Sequence, residues 1–262
     1  MEALAKQEIL REIRLRAFRE RHELDAGLLD LIDDTPGHEF LRNPAGQLVY
    51  LYLTRYVAEA AAYWCGAPAR DLRVLDWGAG KGQVSFLLER HGVRTTMADI
   101  LGDEEDSSFG QHAPLLAGHE VIPLTHQWQL PFADESFDVT LSFGVLEHVE
   151  DDLRSLRELH RVTRRGGLLF IFFLPQTLSW TQRVAHLLGN RYHDRLYSLR
   201  RTRSMLEGNG FHVLDQWRRQ LLPKNTVRWP CFRQVEWLDQ LASSHPPLMW
   251  FTTDIEFVAT RT

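Results

Sequence analysis

In RVLDWGAGKGQ, residues 73 to 83, a short apolar run ends in Asp76 and then breaks into Gly78, Gly80 and Gly82 at every second position. A glycine-rich turn between a strand and a helix lets backbone N–H groups approach a ligand closely. The spacing discriminates among ligands. A dinucleotide fingerprint needs G-x-G-x-x-G or Ala, and Gln83 stands where the third small residue should fall. A phosphate-cradling loop ends in Gly-Lys-Ser/Thr, and here Lys81 is followed by Gly82. A carboxylate at Asp76 would repel a pyrophosphate and suits a cationic group. The plain alternative is an ordinary tight turn.

S-adenosylmethionine joins a nucleoside to an ammonium and a sulfonium. Val74, Leu75, Asp76, Trp77, Gly78, Ala79, Gly80, Lys81 and Gly82 resemble the first motif of the class I methyltransferases that use it. The resemblance extends over roughly residues 70 to 175, through LPF with SFD, GVLEHVED and RVTRRGG, segments similar to those of the ubiquinone/menaquinone-type members. Four elements in order are far more specific than any one of them. They imply that Asp99, seventeen positions after Gly82, accepts from both ribose hydroxyls, and that Ile100 packs on adenine. The family commonly places an Asp for the adenine amino group where this chain has His126 followed by Gln127, so either side chain is a candidate partner. Phe143 is expected near the cofactor.

A methyl group on a sulfonium is already activated, so the protein mainly orients the acceptor and excludes water. A base helps when the acceptor is a hydroxyl. His148 in GVLEHVED is the first candidate base, since imidazole titrates near neutrality, and its alternative role is to anchor the loop. His193 with Asp194 is the second, against a surface turn. Tyr197 and Arg195 are candidate substrate contacts. Arg183, Arg191, Arg195, Arg200, Arg201 and Arg203, followed by Arg218 and Arg219, would either attract a phosphate or carboxylate on the acceptor or form a solvated helix face.

The elements needed to position these residues are legible as alternating patterns. Apolar residues at helical spacing predict one or two helices over residues 2 to 32, a turn at DDTPG, and another helix over residues 47 to 64. From residue 72, LRVLDW, VRTTMAD, HEVIPL, FDVTLSF and LLFIFFL read as strands, with helices from Gln83 and Asp151 between them. Helices are expected near 178 to 189 and 198 to 208, then strands in FHVLDQWRRQLL and in the last segment. The expected fold is α/β: a Rossmann-like, doubly wound, seven-stranded sheet with helices on both faces. By resemblance, the seventh strand lies antiparallel between the fifth and sixth. Residues 1 to 66 would form an N-terminal helical extension or lid, and 67 to 262 a single methyltransferase unit.

The chain has 262 residues, 44% hydrophobic and 25% charged, which fits one substantial globular unit. Its net charge of −5 and the lack of interleaved basic and aromatic residues argue against a nucleic-acid partner. Cys65 and Cys231 stand in no metal-ligand spacing, so no metal site is expected, and free thiols suit a cytoplasmic location. The most apolar run, LLFIFFLP, is too short for a membrane span. The resulting expectation is an S-adenosylmethionine-dependent enzyme that methylates a hydroxyl of a small-molecule or glycan acceptor, with a weak likeness to surface-polysaccharide enzymes of bacteria. An NAD(P)-binding oxidoreductase and a non-catalytic cofactor-binding partner subunit are the alternatives.

Overall fold

The structure is a computed structural model that describes residues 2–32, 39–100, 113–189, 193, 195–224 and 227–262. The DDTPG turn, Arg191 and Asp194 lie outside the described residues. The amphipathic N-terminal stretch forms α1 (Glu2–Arg19) and α2 (Ala26–Ile32), followed by α3 (Glu39–Arg42) and the long α4 (Pro44–Cys65). Local chemistry sets the ends of α4. Asn43 accepts from the Ala45 N–H, Pro44 occupies the first turn, and Gly66 closes the helix with φ of 64°.

Strand and helix then alternate through β1 (Val74–Trp77), α5 (Gln83–Glu89), β2 (Thr95–Asp99), β3 (Val121–Pro123), β4 (Phe137–Phe143), α6 (Asp152–Val162) and β5 (Thr163–Pro175). The chain continues through α7 (Trp180–Leu187), α8 (Leu199–Gly208), β6 (Phe211–Arg219), α9 (Phe232–Ser244) and β7 (Asp254–Arg261). The sheet order is β3-β2-β1-β4-β5-β7-β6, with β7 antiparallel to both neighbours. This is the doubly wound, seven-stranded arrangement expected from the sequence. The order reverses between β1 and β4, so the carboxyl ends of those strands open a crevice, the usual ligand position in such sheets.

Strand β5 is buried on both faces, which explains its continuous apolar run. Phe170 and Phe172 pack with Leu10 of α1 and Tyr56 and Val57 of α4. Leu169 and Ile171 point the other way, toward Leu156 and Leu159 of α6. The helices of residues 1 to 66 therefore supply core to one face of the sheet.

Helix α9 has no counterpart among the expected elements. It buries Val235, Glu236, Asp239 and Ser243 and leaves Trp237, Leu238 and Leu241 exposed. Its inward face is acidic because Lys224, fully buried, forms ion pairs with Glu236 and Asp239. Hydrophobic periodicity cannot reveal a helix whose apolar residues face out.

Candidate functional site

The glycine turn leaves β1 and immediately enters α5, with Gly82 at the helix N-cap. Gly78 has φ of 74°, and a Cβ there would lie 2.5 Å from Val145, so the turn and the loop after β4 touch at this point. At Gly80 a Cβ would meet only the Gly78 carbonyl oxygen, at 4.0 Å. The Gly80 N–H donates to Asp99 Oδ2 at 2.6 Å, and the Ile100 N–H donates to Oδ1 at 2.7 Å. Each carboxylate oxygen keeps a lone pair for a hydroxyl donor, and Ile100 is 37% exposed beside it. Burial raises the Asp99 pKa, opposed by its two backbone hydrogen bonds.

Asp76 sits deeper. It is buried on β1, and Oδ2 accepts from Ser85 Oγ at 2.7 Å, which in turn accepts from Thr95 Oγ1. Burial pushes its carboxyl up to about 6, against the Ser85 hydrogen bond. Trp77 and Ala79 are also buried, so they shape the turn from beneath. At the end of β3, the Leu124 N–H donates to the Asp99 carbonyl, which brings the loop carrying His126 and Gln127 next to the acid. His126 is exposed and its ring stacks on Trp128 at 5.0 Å, while Gln127 is half-buried.

Past β4 the chain builds a second cluster. Phe143 meets Phe172 edge-on, with Phe173 6.0 Å away. Gly144 follows, packed between Glu147 and Phe173. The Glu147 carboxylate is nearly inaccessible, and its Oε2 has no hydrogen-bond partner among the described residues. Desolvation raises its pKa to about 8, with Asp254 and Glu256 adding repulsion. His148 is the reverse case, exposed, with Nε2 3.8 Å from Glu147 Oε1. The rings of His148 and His193 lie 5.2 Å apart, so the two histidines of the sequence reading share one site. One ligand atom each from Glu147, His148 and His193 falls within 4.8 Å of the others, a spacing that a metal ion could bridge.

Tyr197 and Arg195 serve this loop from behind. The Tyr197 hydroxyl hydrogen-bonds the Leu146 carbonyl and Asp152, and the Arg195 guanidinium donates to the Val149 and Glu150 carbonyls. Tyr197 is buried, so its contacts fix the loop that carries His148.

Several residues of the site carry no local motif. Tyr50 of α4 stacks on Phe173 at 5.0 Å, and Gln83 stands beside the Tyr50 hydroxyl. Phe173 has φ of 65°, and its N–H donates to Glu256 Oε2 at 2.8 Å. Glu256 Oε1 is held by Arg219 at 2.6 Å, Asp254 by the same guanidinium at 2.9 Å, and Arg219 also lies over the Phe173 ring. The nearest available signal was charge inside otherwise apolar strands: Arg219 on β6, and Asp254 and Glu256 on β7.

The residues fit S-adenosylmethionine. The glycine turn admits close approach of a ligand, Asp99 retains acceptor capacity for a ribose, and Asp76 stands on β1 just before the turn. A model of a methyltransferase domain matches residues 75–171. The ubiquinone biosynthesis O-methyltransferase of Parvibaculum lavamentivorans is 35% identical over 112 residues, covering 43% of this chain and 44% of that protein. The demethylmenaquinone methyltransferase of Mycobacterium sp. (strain KMS) is 39% identical over 100 residues, 38% of this chain and 40% of that one. This chain thus spans less than half the length of these two curated relatives. A SAM-dependent methyltransferase from Archaeoglobus fulgidus superposes with a TM-score of 0.57 at 17% identity, over 90% of this chain and all of that one, a likeness of fold. Residues 75–171 thus match a methyltransferase domain, and the sheet order is that of the Rossmann-like methyltransferase fold.

Proposed function

We propose that this chain transfers a methyl group from S-adenosylmethionine to a hydroxyl of a small-molecule or glycan acceptor, with His148 as the base. The observation that carries this reading is the contrast between His148 and Glu147, 3.8 Å apart at the end of β4. Glu147 is buried and holds its proton up to about pH 8, so at neutral pH it has little capacity to accept another. His148 is exposed and is the neighbour able to offer a lone pair. When bound, S-adenosylmethionine supplies an activated methyl group. Asp99 and the Gly78–Gly82 turn would hold the nucleoside end, Phe143 and Phe173 would exclude water, and His148 would take the hydroxyl proton as the acceptor oxygen gains the methyl group and the sulfur keeps the electron pair of the broken C–S bond.

The acceptor would enter beside Tyr50 and Phe173, which gives residues 1 to 66 a part in enclosing it. A sugar hydroxyl of a bacterial surface-polysaccharide precursor is the first acceptor to try. Cys65 and Cys231 are both free, which supports a cytoplasmic setting. Among the described residues no helix is long and apolar enough to cross a membrane. The test is turnover of methyl-labelled S-adenosylmethionine against fractionated metabolites and glycans. Label in an alkali-stable methyl ether is expected. Label on nitrogen or carbon alone would remove the hydroxyl assignment.

A second reading has one observation behind it. The [4+2]-cyclase SpnF superposes with a TM-score of 0.55 at 17% identity, covering 90% of this chain and 94% of that one, so this fold also hosts other chemistry. Tight cofactor binding with no label transferred to any fraction would favour a role without methyl transfer.

A further inference from the structure

A cavity of ≈ 480 Å³ opens between α1, β6 and α9, and none of its lining residues belongs to the glycine turn, to Asp99 or to the His148 loop. Helix α1 presents Arg11, Arg14, Phe18 and Arg19 to it at helical spacing, and β6 presents Trp217 and Arg218. The lining carboxylates are already committed. Asp215 binds Arg14 at 2.7 Å, and Asp239 binds Lys224 at 2.7 Å. Arg219 is likewise taken by Asp254 and Glu256. Arg11, Arg19 and Arg218 have no carboxylate partner among the described residues, so the cavity carries an excess of positive charge.

Donors and hydroxyls outnumber acceptors among its unsatisfied polar groups, which also include Gln216 Oε1. Tyr52 Oη, Trp217 Nε1, Arg218 Nε and Ser243 Oγ are all buried without a hydrogen-bond partner among the described residues. The Tyr52, Trp217 and Ser243 side chains belong to residues at most 9% exposed. Leaving so many buried donors unpaired is costly, and a group with several acceptor oxygens and negative charge offsets that cost. Burial lowers the Arg218 pKa. Phe18, Leu15 and Met249 add apolar surface for an organic body.

We infer that this cavity is a binding site for a small organic phosphate, its phosphoryl oxygens held by Arg218 and the arginines of α1 and its body resting on Phe18 and Met249. The site is separate from the cofactor turn, and the inference rests on no part of the methyl-transfer reading. It also gives Arg218, one of the arginines singled out in the sequence, a specific ligand rather than a diffuse attraction.

Isothermal titration of the full chain with phenyl phosphate, inorganic phosphate and phenol tests it. Phenyl phosphate should saturate at one molecule per chain, inorganic phosphate should bind more weakly at the same place, and phenol should not compete. Arg218→Gln should weaken phenyl phosphate about tenfold or more, the scale of one lost charged hydrogen bond. S-adenosylhomocysteine affinity should stay unchanged. Arg203→Gln, which alters an exposed arginine paired with Glu207 on α8, should leave phosphate binding intact. If Arg218→Gln does not fold, the Arg11→Gln/Arg19→Gln double variant replaces it, since both positions are exposed. Absence of saturable binding, phenol binding as tightly as its phosphate, or equal weakening by Arg203→Gln would each overturn the site.

Discussion

Glu147 Oε1 and His148 Nε2 lie 3.8 Å apart, yet the first side chain is 2% exposed and the second 56%. Neighbours in sequence thus meet opposite solvents, and this separates their chemistry. Burial raises the carboxyl's pKa to about 8, while the imidazole faces solvent.

The buried carboxyl makes stability depend on pH in a definite direction. Unfolded, Glu147 titrates near 4.5, whereas the folded value is about 8. Between those values the folded chain binds more protons than the unfolded one, so this group's contribution to stability falls as pH rises. Glu147→Gln carries no such proton. Its melting temperature should match the parent at about pH 4 and exceed it by a few degrees at about pH 9. A parent that gains on the variant as pH rises would contradict the burial argument.

His148→Ala should lower turnover about a hundredfold or more while S-adenosylhomocysteine binds nearly as before, since a positioned base is lost and the nucleoside contacts are not. Turnover should also decline at acidic pH, where a protonated imidazole has no lone pair to offer. Because Glu147, His148 and His193 stand at ligand spacing, the same assay should be run in EDTA. Unchanged turnover supports the base. Loss restored by added zinc or manganese would make the three residues metal ligands instead.

The two acids on β1 and β2 beside the glycine turn should fail differently. Asp99→Ala should weaken S-adenosylhomocysteine about tenfold or more with little change in melting temperature, because Asp99 is only half-buried and its lost partners are backbone N–H groups at the site edge. Asp76→Ala should reduce both affinity and stability, since Ser85 loses its buried acceptor. Calorimetry and thermal melts on both variants separate the two outcomes.

Arg219 neutralises Asp254 and Glu256 in a fully buried cluster, and Glu256 holds the Phe173 N–H in turn. Arg219→Met should cost about 3–5 kcal/mol, the scale for leaving buried charges without their partner. Burial already pushes Asp254 up to about 7, so the variant should lose most at alkaline pH, where both acids must ionise. Urea unfolding at about pH 6 and about pH 9 checks this. Equal stability of variant and parent at both pH values would mean that water reaches the cluster.

Most of the secondary structure was legible, because its cause is local. The continuous apolar run of β5 and the spacing of α4 follow from which side chains must leave water, and the glycine turn follows from backbone conformations that few residues adopt. Helix α9 escaped notice because Glu236 and Asp239 are turned inward by Lys224, a partner outside the helix itself. The contacts of Tyr197 and Arg195 run to the loop after β4, a relation that spacing along the chain does not carry.

By itself, then, the sequence determined the order of the seven strands, the glycine turn after Asp76, and the places of Asp99 at the end of β2 and of His148 after β4, since each depends on spacing along one short stretch of chain. Only the tertiary structure decided that His193 joins His148, that Glu147 is buried, and that Arg219, Asp254 and Glu256 brace Phe173. Those relations span from one to more than eighty residues of chain, but all depend on what packs around each group. Solvent exclusion and charge pairing are set by neighbours in space, and sequence spacing carries no measure of them.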